Sequence, residues 1–132
     1  MTKRILVIDD EADIRDLIAQ VLESTGYEVL HASSGEQGLQ IMEATPVDLV
    51  ILDIIMDGMD GWDVCEHIKT DARFNHIPVL LVTVRTLISE QEETRNRMAD
   101  AVLLKPFSLQ GLREQVTTLV AARDATGAEI TS

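Results

Sequence analysis

The sequence predicts a doubly wound α/β domain: a five-stranded parallel sheet in a (βα)5 arrangement with helices on both faces. Three observations carry this. Short apolar, β-branched runs recur five times, and segments with helical spacing separate them. Three of the runs are almost wholly apolar instead of alternating, so both faces of the sheet must be covered. At 132 residues, 45% hydrophobic and only 3% aromatic, the chain fits one domain with an aliphatic core, and a chain of this size needs no disulfide or metal staple.

The elements follow in order. The first run, Ile5 to Ile8, leads into Asp9-Asp10. Ile14, Leu17, Ile18, Val21 and Leu22 then recur at three and four residues, which is the period of a helix with one buried stripe. Glu28 to Ala32 is the second run, and Ser34 after it is placed to cap the helix that holds Leu39, Ile41 and Met42. The third run, Leu49 to Leu52, ends on Asp53 and enters a loop rich in acids and glycine, followed by a helix that contains Cys65. The fourth is Val79 to Thr83. The segment Ser89 to Met98, SEQEETRNRM, is polar nearly all round, so it is expected to dock weakly and shift easily. The fifth run, Ala101 to Leu104, meets Lys105-Pro106, after which Ser108 can cap a last helix built on Leu109, Leu112, Val116, Leu119 and Val120. The domain is expected over 1–122. Residues 123–132, RDATGAEITS, lack periodicity and are expected to fray.

Composition narrows the function classes. Eleven basic against twenty-three acidic residues leave a formal charge of -12 with no basic cluster, which argues against direct nucleic-acid binding through phosphates and favours divalent cations and basic protein surfaces. The single cysteine, Cys65, cannot form an intrachain bridge and reads as a structural thiol in a reducing compartment. The start MTKRILVIDD turns acidic where a signal peptide would carry a longer apolar region. The longest uncharged stretch, Phe74 to Val84, is about half of the ~20 residues a spanning helix needs. A cytoplasmic chain without membrane contact is expected.

In open parallel sheets the ligand crevice lies beyond the carboxyl ends of the strands, where strand order reverses. Here those ends carry Asp9-Asp10, Asp53, Thr83 and Lys105-Pro106. Three carboxylates in one crevice repel each other unless a cation joins them, and Mg²⁺ suits such oxygen ligands together with water and phosphate oxygens. A deprotonated Asp53 can attack phosphorus to give an aspartyl phosphate. The cation and Lys105 would neutralise the transferred oxygens, and the Thr83 hydroxyl would donate a hydrogen bond to one of them. Taken singly, each residue has a plainer reading: Asp9 and Asp10 as helix caps, Asp53 as a turn residue beside Asp57, Asp60 and the glycines, Thr83 as an ordinary strand residue. Together, in order and each at a strand end, they describe one site. His31, His67 and His76 lack ligand spacing, and Trp62 and Phe107 read as packing residues.

With ILVIDDE at the first strand, VILD followed by MDG at the third, LLVT at the fourth and LLKPF at the fifth, the sequence resembles the receiver domain of two-component response regulators, including the single-domain chemotaxis type. The likeness runs from Lys3 to Ala122. It implies a flavodoxin-like receiver fold and phosphoryl transfer from a sensor histidine kinase or histidine phosphotransfer protein to Asp53. It also implies Mg²⁺ or Mn²⁺ held by Asp10, Asp53, a water-mediated Asp9 and the backbone carbonyl of Ile55. By the same resemblance Thr83 and Lys105 sense the phosphate and the Lys105-Pro106 bond is cis. Output is expected through a downstream protein target, at the face of the fourth helix, fifth strand and fifth helix, since no output segment follows Ala122. The chain is expected as a monomer or a phosphorylation-linked dimer.

Three positions depart from the family pattern. Asp57 stands where receivers usually have proline, Val84 replaces the usual Ala or Gly after the threonine, and Val102 takes the place of the aromatic residue that turns inward on phosphorylation. Valine has no such rotamer excursion, so the polar segment Ser89 to Met98 is expected to carry the signal instead. Ile55 has no side-chain group to orient an attacking water, which implies slow self-hydrolysis and no turnover. A haloacid-dehalogenase-type phosphatase uses a similar strand-end aspartate but needs an acid two residues later, where this chain has Ile55. A degenerate receiver that only binds protein is the remaining alternative.

Overall fold

The computed structural model describes residues 2–84 and 98–131, with side chains described through residue 123. Five strands, β1 (Arg4–Ile8), β2 (Glu28–Ala32), β3 (Leu49–Asp53), β4 (Val79–Thr83) and β5 (Ala101–Leu104), form one sheet in the order β2-β1-β3-β4-β5, every pair parallel. The helices are α1 (Ala12–Ser24), α2 (Gly35–Ala44), α3 (Gly61–Thr70) and α4 (Leu109–Thr131). The predicted strands match to within a residue at their ends. The predicted helix at Ser89 to Met98 falls almost wholly outside the described residues.

Side chains alternate along the strands into two cores, because successive residues of a strand face opposite sides. Leu6, Ile8, Val50, Leu52, Val79 and Leu81 pack with Met42, Val64, Cys65 and Ile68 of α2 and α3. Ile5, Val7, Leu49, Ile51, Leu80 and Val82 pack with Ile18, Val21 and Leu22 of α1 and with Leu112, Val116 and Val120 of α4. Both faces are thus covered, which is why β3 and β4 are buried at every position.

Ser34 caps α2 by accepting a hydrogen bond from the Gln37 N–H at 3.1 Å, and Ser108 accepts one from Gly111 N–H at 2.9 Å. Helix α4 runs to Thr131, through most of the 123–132 segment expected to fray. Among the described residues no helix is long and apolar enough to cross a membrane.

Candidate functional site

The sheet register builds the site. Ile8 pairs with Leu52, so the residues that follow, Asp9 and Asp53, emerge side by side at the switch in strand order around β1. Asp53 lies opposite Val82 and Thr83 opposite Leu104, which steps Thr83 and then Lys105 forward around the same crevice. The Lys105 N–H donates to the Thr83 carbonyl at 2.7 Å. Oxygens of Asp9, Asp10 and Asp53 all lie within 4.8 Å of one another. Lys105 Nζ stands 3.4 Å from Asp53 Oδ2 and 3.5 Å from Asp9 Oδ2. Asp9, Asp53 and Thr83 are buried, and Asp10 is at the exposed rim. All five residues expected at strand ends therefore meet, and the Lys105-Pro106 peptide is cis.

Local bonds hold the acids in place. The Asp9 N–H donates to Ala32 O at 3.1 Å, its Oδ1 accepts from Glu11 N–H at 2.9 Å, and its carbonyl accepts from Arg15 Nη1 at 2.7 Å. Neither aspartate of the pair caps α1, since the N-cap residue is Glu11 and it makes no side-chain cap bond. The Asp53 Oδ1 accepts from Ile55 N–H at 3.3 Å, and the Asp57 N–H donates to Asp10 Oδ2 at 3.3 Å.

Two features of the loop after Asp53 were not singled out from sequence. Asp60, assigned there to loop chemistry, caps α3 by accepting from Asp63 N–H at 2.9 Å; an acidic residue just before Gly61-Trp62 was the available signal. Gly61 is the closer constraint. A Cβ there would lie 2.3 Å from the Asp53 carbonyl oxygen, and the Gly61 N–H donates to Ile54 O at 2.9 Å. Helix α3 thus begins directly against the backbone of Asp53.

Electrostatics distinguish Asp53. Burial pushes its carboxyl up to about 6, the Asp9 charge pushes the same way, and Lys105 opposes both. Crowded oxygen donors with too little positive charge fit a hard divalent cation, whose binding would relieve the repulsion. Ile55, whose carbonyl the resemblance adds to the ligands, is in the loop just past β3, with 53% of its surface exposed.

The departures take definite places. Val84 is 57% exposed and, with Ile14, Leu17, Lys105, Pro106 and Phe107, lines an apolar recess of about 500 Å³ beside the site. Val102 is half-buried against the α2–α3 core and pairs with Leu81. His31, His67 and His76 are exposed, away from the acidic group. Cys65 is fully buried, its thiol pushed up to about 11 by desolvation, which makes it a poor nucleophile.

Comparison with known proteins agrees with this geometry. The family profile described as "Response regulator receiver domain" matches residues 5–117. The chain is 39% identical over 116 residues, 88% of its length and 48% of the relative's, to the uncharacterized transcriptional regulatory protein YrkP of Bacillus subtilis. It is 35% identical over 121 residues to the DNA-binding dual master transcriptional regulator RpaA of Synechocystis, covering 92% of the chain and 50% of that protein. The chain spans about half the length of these curated relatives, and a DNA-binding regulator among them leaves the expected absence of nucleic-acid contact without support. Among solved structures, the response regulator TrrA of Thermotoga maritima in complex with Mg²⁺-BeF superposes with a TM-score of 0.81 at 35% identity, over 89% of this chain and 99% of that one. A CheY-like receiver domain protein of Methanospirillum hungatei gives a TM-score of 0.88 at 27% identity, over 96% and 99% of the two chains. With the profile covering most of its length and the acidic crevice where the sheet register puts it, the chain belongs to the response regulator receiver domain family.

Proposed function

We propose that this receiver takes a phosphoryl group on Asp53 from a phosphohistidine of a sensor kinase or phosphotransfer protein, and that the phosphorylated state alters contacts with an output partner. The carrying observation is Asp53 itself: a buried carboxylate at the end of a central strand, within 4.8 Å of two other carboxylates and 3.4 Å from the Lys105 ammonium. The protein's own partners do not account for that placement, because burial and Asp9 disfavour its charge by more than Lys105 and the Ile55 N–H favour it.

In the step proposed, an Asp53 carboxylate oxygen attacks phosphorus as the phosphorus–nitrogen bond to the donor imidazole breaks. The bonding pair leaves with the imidazole nitrogen. Lys105, held against both Asp53 and Asp9, stabilises charge on the transferred oxygens. Thr83, at the end of β4 beside Lys105, would donate its hydroxyl to the new phosphate. Asp10, Asp53, Asp9 and the Ile55 carbonyl would hold Mg²⁺ or Mn²⁺, which supplies positive charge to the phosphoryl oxygens. The Mg²⁺-BeF complex of the similar Thermotoga protein supports this assignment. Ile55 offers no group to orient water, so the chain acts as a phosphoacceptor with slow self-hydrolysis and is not a turnover enzyme.

Output differs from the family pattern at Val102, whose packing against the α2–α3 core leaves no ring to swing inward. The transcriptional regulators it resembles, about twice its length, support an output that ends in gene control through a DNA-binding partner or a further part of the same protein.

Incubation with acetyl phosphate and Mg²⁺, followed by intact mass, tests the acceptor. A gain of one phosphoryl mass that is lost in Asp53→Asn is expected. No gain from either acetyl phosphate or a phosphorylated histidine phosphotransfer protein would make the chain a phosphorylation-independent binding module.

A further inference from the structure

We infer that the backbone N–H of Asp57 is a positioning group for the Asp10 carboxylate, and that through it this chain sets the cation affinity of its acidic site. The inference rests on the phosphoacceptor reading and concerns a group that reading does not use. Asp9 is fixed on several sides, by Glu11 N–H at 2.9 Å, by Lys105 at 3.5 Å and through its own backbone. Asp10 is different. It is exposed at the rim, in the loop between β1 and α1, and the Asp57 N–H reaches its Oδ2 at 3.3 Å from a residue 47 positions later in the chain.

That bond joins the two loops which must converge for three carboxylates to share one ion. It depends on residue type in an unusual way. Proline, usual at this place in receivers, has no N–H to give, so a chain with proline at 57 holds the loop by ring rigidity and leaves Asp10 without this donor. Any other residue supplies the amide. Here the neighbouring Gly58, at φ 77°, takes a left-handed turn in the same loop.

The physical effect has two parts. A hydrogen bond to one carboxylate oxygen selects one rotamer of Asp10, so less side-chain freedom is lost when a cation binds. A carboxylate has lone pairs enough for an amide and a cation together. The amide also offsets repulsion among the acids without carrying a full charge, so it does not compete with the ion as an ammonium group would.

The test is the Mg²⁺ affinity of the unphosphorylated full chain, by titration calorimetry at fixed ionic strength, for wild type, Asp57→Ala and Asp57→Pro. Both variants lose the Asp57 carboxylate, and only the second loses the N–H. Asp57→Pro is expected to bind Mg²⁺ roughly threefold to tenfold more weakly than Asp57→Ala, the range for one ordinary net hydrogen bond, and the difference should vanish when Asp10→Asn is added to both. Equal affinity of the two variants, or a tighter Asp57→Pro, overturns the inference while wild-type binding leaves the phosphoacceptor reading intact. A wild type that binds no Mg²⁺ overturns both. A second measurement needs no proline: hydrogen exchange of the Asp57 amide should be several-fold slower in wild type than in Asp10→Ala, and equal rates overturn the inference independently.

Discussion

The two ends of the same sheet treat aspartate in opposite ways. At the amino ends of the strands, Asp48 accepts from the Arg4 N–H at 2.8 Å and pairs with Arg123 of α4, and these partners hold its carboxyl below the usual carboxylate range in spite of partial burial. Asp100 is similarly engaged: its Oδ2 receives Lys69 Nζ at 2.7 Å and Val79 N–H at 2.8 Å. At the carboxyl ends, Asp9, Asp10 and Asp53 share one crevice with Lys105, and Asp53 is pushed up to about 6. The contrast separates acids that close the structure from acids that stay under-neutralised for a ligand to satisfy. One end is complete by itself; the other is completed by what it binds.

The largest expected effect follows directly. Saturating Mg²⁺ should raise the stability of the wild-type chain by about 2.7 kcal/mol at a concentration roughly a hundredfold above its dissociation constant, read as a rise in Tm, and Asp53→Asn should lose most of that gain. An equal gain in Asp53→Asn would remove the distinction between the two ends.

Next is Asp53→Asn in the absence of divalent cations, which should stabilise the chain at pH 7 by on the order of 2 kcal/mol, because a carboxyl raised from 3.8 to about 6 opposes folding once it is ionised. The direction with pH is fixed by proton binding. Between the ordinary value and about 6 the folded chain holds a proton on Asp53 that the unfolded chain has released, so this contribution to stability falls as pH rises through that window. Asp48 has the opposite sign: its stabilisation is present above the ordinary carboxylate value and is lost as pH falls through its lowered one. Cation-free wild type should therefore gain stability as pH drops from 7 toward 5 relative to Asp53→Asn, by urea unfolding at each pH.

Asp48→Ala should cost about 1 to 2 kcal/mol, since it leaves the Arg4 N–H and Arg123 without their acceptor. A stabilised Asp48→Ala would contradict the assignment of that end as structural. The smallest effect is expected at Arg73, whose pairs with Asp71 and Glu43 are at the surface. Arg73→Ala should leave Tm within measurement error, because exposed ion pairs are screened by water.

Much of this was legible in sequence for identifiable reasons. The runs from Ile5, Leu49 and Val79 are apolar on both faces, and only a covered parallel sheet accommodates them, so the architecture followed. Asp9, Asp10, Asp53, Thr83 and Lys105 each end a run, and strand-end position alone brought them to one crevice. The signal for Asp60 as a cap, an acid just before Gly61-Trp62, was passed over because Asp57 and the glycines beside it read equally as loop chemistry. The closeness of Gly61 to Asp53 was invisible because it depends on the angle at which α3 meets β3.

The sequence by itself determined the strand boundaries, the two-faced burial and the identities of the groups at the strand ends, because periodicity and residue chemistry are local properties. The tertiary structure alone decided which acids are neutralised and which are not. Asp48 meets Arg123 across 75 residues and Asp10 meets the Asp57 amide across 47, and such separations are closed by sheet order and helix packing, which no local pattern records.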